Sequence, residues 1–315
     1  VYLTLLLIFG ASFTSAYADD AAQAKGLAWL QGQVLPSGKL TNRSRFGTAV
    51  QAQCEAAQTL LRLAGNNGQV TSLVNAMPSS GDSVPTESLA CWQILKTQQG
   101  VQITSPLSSR FISDKGYATY PDEMVPGIID TAWGYSAIAA PSASLRQGVM
   151  QWLMSKQSGG MLKAGGYANL YTTAVVLRAL NADALKDAGT LALAQTLAQA
   201  LLSKQAPTGA WGESQMLTAL VFEAVHPYTA SSPQVASKVQ TYLLVAQKPD
   251  GSWETDPYTT ALALRALALV VVKPTDPGQQ ANSGVVMGVV TDGGTNAPLE
   301  NATVTVTPAS GGAPI

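Results

Sequence analysis

Between Tyr242 and Leu269 (YLLVAQKPDGSWETDPYTTALALRALAL) the spacing of apolar positions changes character. Up to Gln247 the apolar residues keep to one face of a helix. Beyond Thr259–Thr260 nearly every position is apolar, Arg265 excepted. A helix with one apolar stripe lies at a surface, whereas one that is apolar nearly all round is enclosed by protein. Between them, Pro249, Asp250 and Gly251 supply turn chemistry, because Pro fixes φ and Gly admits φ > 0. Thr259 or Thr260 is placed to cap the second helix by accepting from an orphan backbone N–H. The unit predicted is an outer amphipathic helix, a tight loop and an inner buried helix.

The unit recurs. Marked by the Thr near the start of each inner helix, it appears at Thr48, Thr86, Thr131, Thr173, Thr218 and Thr260, with spacings of 38, 45, 42, 45 and 42 residues. A period in this range means stacked units, none of which can bury its apolar face alone. Four units end the outer helix in Gln before a Gly-containing loop: Gln33 with Gly38, Gln157 with Gly160, Gln205 with Gly209 and Trp211, and Gln247 with Gly251 and Trp253. The second and third units lack that outer signature. Six helical hairpins are predicted, an all-α (α/α)6 arrangement over residues 19–272.

The flanks read differently. Residues 1–18 are an apolar run ending in Ala16-Tyr17-Ala18, the form of an export signal with its cleavage site, too short to span a bilayer. With no initiator Met or basic start, the sequence reads as a fragment of an exported protein. Its mature part would begin near Asp19 and carry no transmembrane span, in the extracellular space, at the cell surface or in the periplasm. Residues 273–284 (KPTDPGQQANSG) form a linker. Residues 285–315 hold β-branched runs around Gly293-Gly294, the start of a β-sandwich that the chain does not complete. Between the second and third inner helices, residues 100–128 make a long irregular connection with Tyr117, Tyr120, Asp122 and Glu123. It reads as packed loop in place of an outer helix, and otherwise as a functional loop.

Composition removes some function classes. Charged residues are 12% of the chain, the formal net charge is −1, and no Lys/Arg run is present, which argues against nucleic acid or an anionic membrane as partner. Cys54 and Cys91 fall at nearly the same height on neighbouring inner helices; they form a disulfide, or else two buried thiols. The lone His226 sits at a helix end, where the helix dipole accounts for it, so no metal site is expected.

Five residues after their marker Thr lie Arg178, Glu223 and Arg265, on consecutive inner helices. They form a self-satisfied buried ion cluster or, alternatively, an anion site for a carboxylate or phosphate. At the N-terminal rim of the inner helices are Tyr167, Tyr171, Tyr258, Trp211 and Trp253, interleaved with Glu213, Glu254 and Asp256. Aromatic faces between carboxylates suit a sugar ring or an extended peptide, although the tryptophans would equally serve to wedge the loops.

The pattern Tyr242-Leu243-x3-Gln247-x3-Gly251-x-Trp253 resembles the QW repeat of the squalene-cyclase and prenyltransferase superfamily. Trp152-Leu153-x3-Gln157 and Lys25-Gly26-x2-Trp29-Leu30 echo parts of it, and the resemblance covers roughly residues 20–272. It implies an α/α toroid with a central cavity. Gly288–Val306 similarly resembles the opening of a carboxypeptidase-regulatory-like β-sandwich, a module that commonly follows secreted or surface-exposed bacterial domains and implies further domains beyond. The cyclases' Asp-x-Asp-Asp acid motif, the prenyltransferases' Asp, Cys and His zinc ligands and the complement-like Cys-Gly-Glu-Gln thioester do not occur. The expectation is therefore an exported binding or scaffold module without cofactor or metal, taking a glycan, a peptide or a small apolar ligand. The competing expectation is an enzyme: a divergent terpenoid-type cyclase, or a polysaccharide-acting barrel using Glu213, Asp256, Asp122 and Glu123, which requires two of them facing each other at about 5–9.5 Å.

Overall fold

The computed structural model of the chain describes residues 11–270 apart from 114, 139–140 and 184–185. The expected linker and sandwich strands, and residues 1–10 of the export segment, lie outside them. In chain order the elements are α1 (Ala11–Gly32), α2 (Ala49–Ala64), α3 (Gly68–Asn75), α4 (Thr86–Gln98), β1 (Phe111–Ile112), β2 (Gly116–Tyr117), α5 (Ile128–Ser136), α6 (Ala143–Ser155), β3 (Gln157–Ser158), β4 (Met161–Ala164), β5 (Tyr167–Ala168), α7 (Leu170–Ala182), α8 (Ala188–Leu202), α9 (Gln215–Val225), α10 (Pro233–Ala246) and α11 (Pro257–Val270). The chain is mainly helical, with two small antiparallel sheets, β1–β2 and β3–β4–β5.

Six of these helices pack in a cycle. Each of α2, α4, α5, α7, α9 and α11 lies against the next, and α11 returns to α2. They carry most of the buried apolar side chains, α9 and α11 being buried on nearly every face, as their unbroken apolar sequences require. α1, α3, α6, α8 and α10 alternate with them along the chain. The third unit departs from the hairpin pattern: no outer helix stands between α4 and α5 among the described residues, and a loop carrying β1 and β2 takes that place. Its packing is specific. Buried Arg110 donates to the carbonyls of Thr119 (2.7 Å) and Gly81 (2.9 Å), and Tyr117 lies so close to Gly134 that a Cβ there would come within 2.5 Å of the ring.

The loops show what the repeated residues do. Trp211 and Trp253 are fully buried, and each indole N–H donates to a carbonyl at the end of the preceding helix, Leu201 and Leu243, both at 2.7 Å. Gln247 donates to its own loop at Gly251 (2.9 Å) and to Ala22 of α1 (2.8 Å). Gln205 does likewise to Gly209 (3.1 Å) and Val235 of α10 (3.5 Å). The Gln is thus a hook that ties each loop to the following outer helix, and α1 follows α10. Glycine is required where that helix presses in: a Cβ on Gly209 would lie 2.6 Å from the Lys238 carbonyl oxygen, and one on Gly251 would lie 2.5 Å from that of Lys25. Both also have φ near +90°, which side-chain-bearing residues rarely adopt.

Five of the six marker threonines divide into two roles; in the sixth, Thr86, the hydroxyl donates to the Ala118 carbonyl at 2.6 Å. Thr131, Thr173, Thr218 and Thr260 sit one turn inside their helices, where each hydroxyl accepts a loop N–H, from Tyr117, Leu162, Trp211 and Trp253 in turn, at 2.9–3.0 Å. The caps come earlier: Asn169, Ser214 and Asp256 accept the N–H three residues on. The sequence placed the cap of α11 at Thr259 or Thr260; it is Asp256, because Pro257 is well suited to a first helical position. Thr48, by contrast, is a true cap: its hydroxyl accepts the Gln51 N–H, and its own N–H donates in return to the Gln51 side-chain oxygen. Counted from their caps Thr48 and Pro85, Cys54 and Cys91 are both the sixth residue. They are bonded, with Cα atoms 6.1 Å apart. Closing a loop of that length stabilises the fold by about 4 kcal/mol in the chain-entropy description.

Candidate functional site

α2, α4, α5, α7 and α9 together line a cavity of about 340 Å³ that is open to solvent on one side. Ile94, Ala132, Trp133, Val175, Ala179 and Ala182 supply its apolar wall, and exposed Gln98 marks where it reaches the surface. The small side chains on α5 and α7 leave this space, since alanine at an inward position cannot fill the middle of a six-helix ring. Arg178 and Glu223 are its charged wall residues.

Behind that wall stands an ion cluster larger than the sequence predicted. Arg265 donates through all five of its N–H groups: to both oxygens of Glu223 (2.9 and 3.1 Å), to Thr59 (3.0 Å), to the backbone carbonyl of Glu55 (3.2 Å) and to the Glu55 carboxylate. Arg178 reaches the same Glu55 carboxylate at 3.2 and 3.5 Å and lies 3.6 Å from Glu223. Arg178 and Glu55 come from α7 and α2, which are not neighbours in the ring, so the pair crosses its interior. Burial alone would push the Glu223 carboxyl up, but Arg178 and Arg265 overcome that and hold it at about 2. Two carboxylates and two guanidiniums satisfy one another, so the self-satisfied cluster is what forms. Glu55 escaped the sequence reading because it sits at a different height on its helix from Arg178, Glu223 and Arg265. Nothing in the repeat marks it.

The expected aromatic rim is mostly internal. Trp211 and Trp253 wedge the loops. Tyr258 is 2% exposed and meets Tyr171, oxygen to oxygen at 3.3 Å; these come from α11 and α7, again not neighbours, and so close the centre about 10 Å below the Arg178 level at 1.5 Å per residue. Burial pushes the Tyr171 phenol up to about 12. Of the expected rim aromatics, Tyr167 stands free in solvent.

The rim carboxylates do not converge either. Asp256 is fully buried, with one oxygen capping α11 and the other accepting from the Arg45 N–H at 2.7 Å. Glu123 accepts the N–H groups of Thr119 and Tyr120 in its own turn. Glu213 and Asp122 are exposed. None of the four lines the cavity. Among the described residues no group of His, Cys, Asp or Glu is arranged to hold a metal, and no helix is long and apolar enough to cross a membrane.

One perturbed acid was not foreseen. Glu87, in the first turn of α4, is pushed up to about 7, chiefly by burial and further by Asp130 and Glu55, against a hydrogen bond from Gln51. Its Oε1 and the Trp133 indole N–H are both buried without a partner, and both residues border a void beside the disulfide too small to admit water. Trp133 lines this void and the large cavity alike, and so stands between Glu87 and the cavity.

The shifts of Glu87 and Glu223 have opposite consequences. Glu87, raised from 4.5, takes up a proton on folding, so its favourable contribution is complete below the unfolded value and is lost as pH rises through 7. That amounts to about 3 kcal/mol. Glu223, lowered from 4.5, stabilises above the unfolded value and loses that contribution as pH falls towards 2. Urea denaturation at pH 5 and pH 8 should show the protein weaker at pH 8, and Glu87→Gln should remove most of that difference. An undiminished difference in the variant would show that other groups cause it.

The likeness to known proteins lies in the fold. No family model matches the sequence, and no curated protein matches it. Among solved structures, a protein from Actinoplanes superposes with a TM-score of 0.66 at 17% identity, over 80% of this chain and 99% of that one. A variant of the type II terpene cyclase MstE from Scytonema, in complex with its product merosterolic acid A, gives 0.65 at 14% identity, over 82% and 99%. Another MstE variant, holding its substrate geranylgeranyl dihydroxybenzoate, gives 0.66 at 13% identity over the same shares. The chain therefore has a terpenoid-cyclase-like helical fold.

Proposed function

We propose that this chain is an exported binding module built as an (α/α)6-type toroid, which retains a small, mainly apolar ligand in its ring cavity and does not perform the chemistry of the terpene cyclases it resembles in fold. The observation that carries this is the cavity itself: about 340 Å³, walled by five helices, with its charged residues Arg178 and Glu223 already paired with Glu55 and Arg265. That volume is at the small end of the range for ligand pockets. The export-like start of the sequence supports a place outside the cytoplasm. Glu87 favours the enzyme reading, since a carboxyl that keeps its proton near neutrality can act as an acid, but Trp133 and the disulfide separate it from the cavity.

The test is binding of a neutral fluorescent probe, N-phenyl-1-naphthylamine, to the protein and to Ala179→Trp, which fills the cavity from its wall. The unaltered protein should enhance and blue-shift the emission with saturable binding. The variant, with unchanged circular dichroism, should bind at least about ten-fold more weakly, a difference of about 1.4 kcal/mol. Equal binding by both, or none by either, would dispose of the proposal.

A further inference from the structure

Resting on that reading of the cavity, we infer that it selects an uncharged ligand carrying a hydrogen-bond acceptor, which docks against Arg178, and that it rejects both anions and cations of the same shape. The wall is polar without being charged overall. Within the ring, Glu55 and Glu223 balance Arg178 and Arg265, two against two, and the exposures of their side chains are 1%, 15%, 18% and 3%. A ligand carboxylate accepting from Arg178 would place a third carboxylate beside Glu55 and Glu223 with no third buried guanidinium to balance it. Leaving a buried charge short of its partner is strongly disfavoured. A ligand ammonium meets the reverse difficulty, because Glu223 already accepts from Arg265 through both oxygens.

Arg62 lies beside the cluster, 4.0 Å from Glu223. Its side chain is 48% exposed, so water screens it and it does not make the interior cationic. What Arg178 does retain is donor capacity. Guanidinium has five N–H groups; one on each terminal nitrogen goes to Glu55, and the side chain faces the cavity. A carbonyl or hydroxyl oxygen can accept there without disturbing the pair.

Titration calorimetry at pH 7 with 2-naphthol, 2-naphthoate and 2-naphthylmethylammonium separates the alternatives, since the three share a ring system and differ in charge. Naphthol should bind at least about ten-fold more tightly than either ion. Naphthoate binding as tightly as naphthol or more tightly would overturn the inference and make the cavity an anion site, and a preference for the ammonium would overturn it in the other direction. In both cases binding of N-phenyl-1-naphthylamine, and its loss in Ala179→Trp, would leave the binding-module reading standing. If that neutral probe also fails to bind, the failure lies with the module reading rather than with charge selection alone.

Discussion

Glu55→Gln should lower the stability of the fold by about 3–5 kcal/mol, the range for removing one partner of a buried ion pair. The substitution keeps the shape of the side chain and removes only its charge. Glu55 is almost wholly buried and takes bonds from Arg178 and from Arg265, its partners across and beside the ring. Without it, two guanidiniums must share Glu223, and Arg265, 3% exposed, cannot turn to water instead. Arg62→Ala is the matched control, a charge of the same cluster at its exposed edge, which should change stability by less than about 1 kcal/mol. Denaturant titration of both variants decides the matter. Similar losses in the two would mean that the interior cluster is no more important than a surface contact.

Trp253→Ala should have a comparable effect, about 3–5 kcal/mol, the usual range for truncating a large core aromatic. The ring is fully buried, its N–H is bonded to the Leu243 carbonyl, and its edge lies against Gly26, where a Cβ on α1 would come within 2.8 Å of it. Removing it would open a cavity between the last loop and α1, the junction at which the Gln247 hook joins the end of the repeat to its beginning. Trp253→Phe separates the two contributions: it keeps most of the packing and gives up the hydrogen bond, for which about 1–3 kcal/mol is expected because the Leu243 carbonyl stays buried. Thermal unfolding followed by circular dichroism measures all three proteins. If Trp253→Ala melted like the parent while losing affinity for N-phenyl-1-naphthylamine, the tryptophan would belong to a ligand site instead.

Much of this architecture was legible because repetition amplifies a weak local signal. One Gln–Gly–Trp segment says little. Recurring ahead of helices that are apolar on every face, it predicts an outer layer, a loop and an inner layer, as found in the last two units. The signal failed where local chemistry can be met in more than one way. Threonine near a helix start is either the cap or, four residues later, an acceptor for a loop N–H, and both kinds occur here. Thr48 and Thr260 therefore look equivalent in sequence and are one turn apart in structure, and neither register reaches Glu55: the threonine count falls on Gln53 and the cap count on Ala57. The absence of a third outer helix was legible, by contrast: residues 100–128 have no helical periodicity, and Arg110 and Tyr117 give that loop a core of its own.

By itself, then, the sequence determined what depends on neighbours along the chain: the helices, the turns between them, and the burial of α9 and α11. The tertiary structure alone decided which side chains meet across the ring. Tyr171 and Tyr258 are 87 residues apart, Arg178 and Glu55 are 123 apart, and no local pattern encodes such a meeting. It also decided that Asp256, Trp211, Trp253 and Tyr258 face inward, since the same loop that could display them at a rim instead folds them beneath the next outer helix. Whether a charged residue is a site or a support depends on what stands opposite it, and that is fixed only when the ring closes.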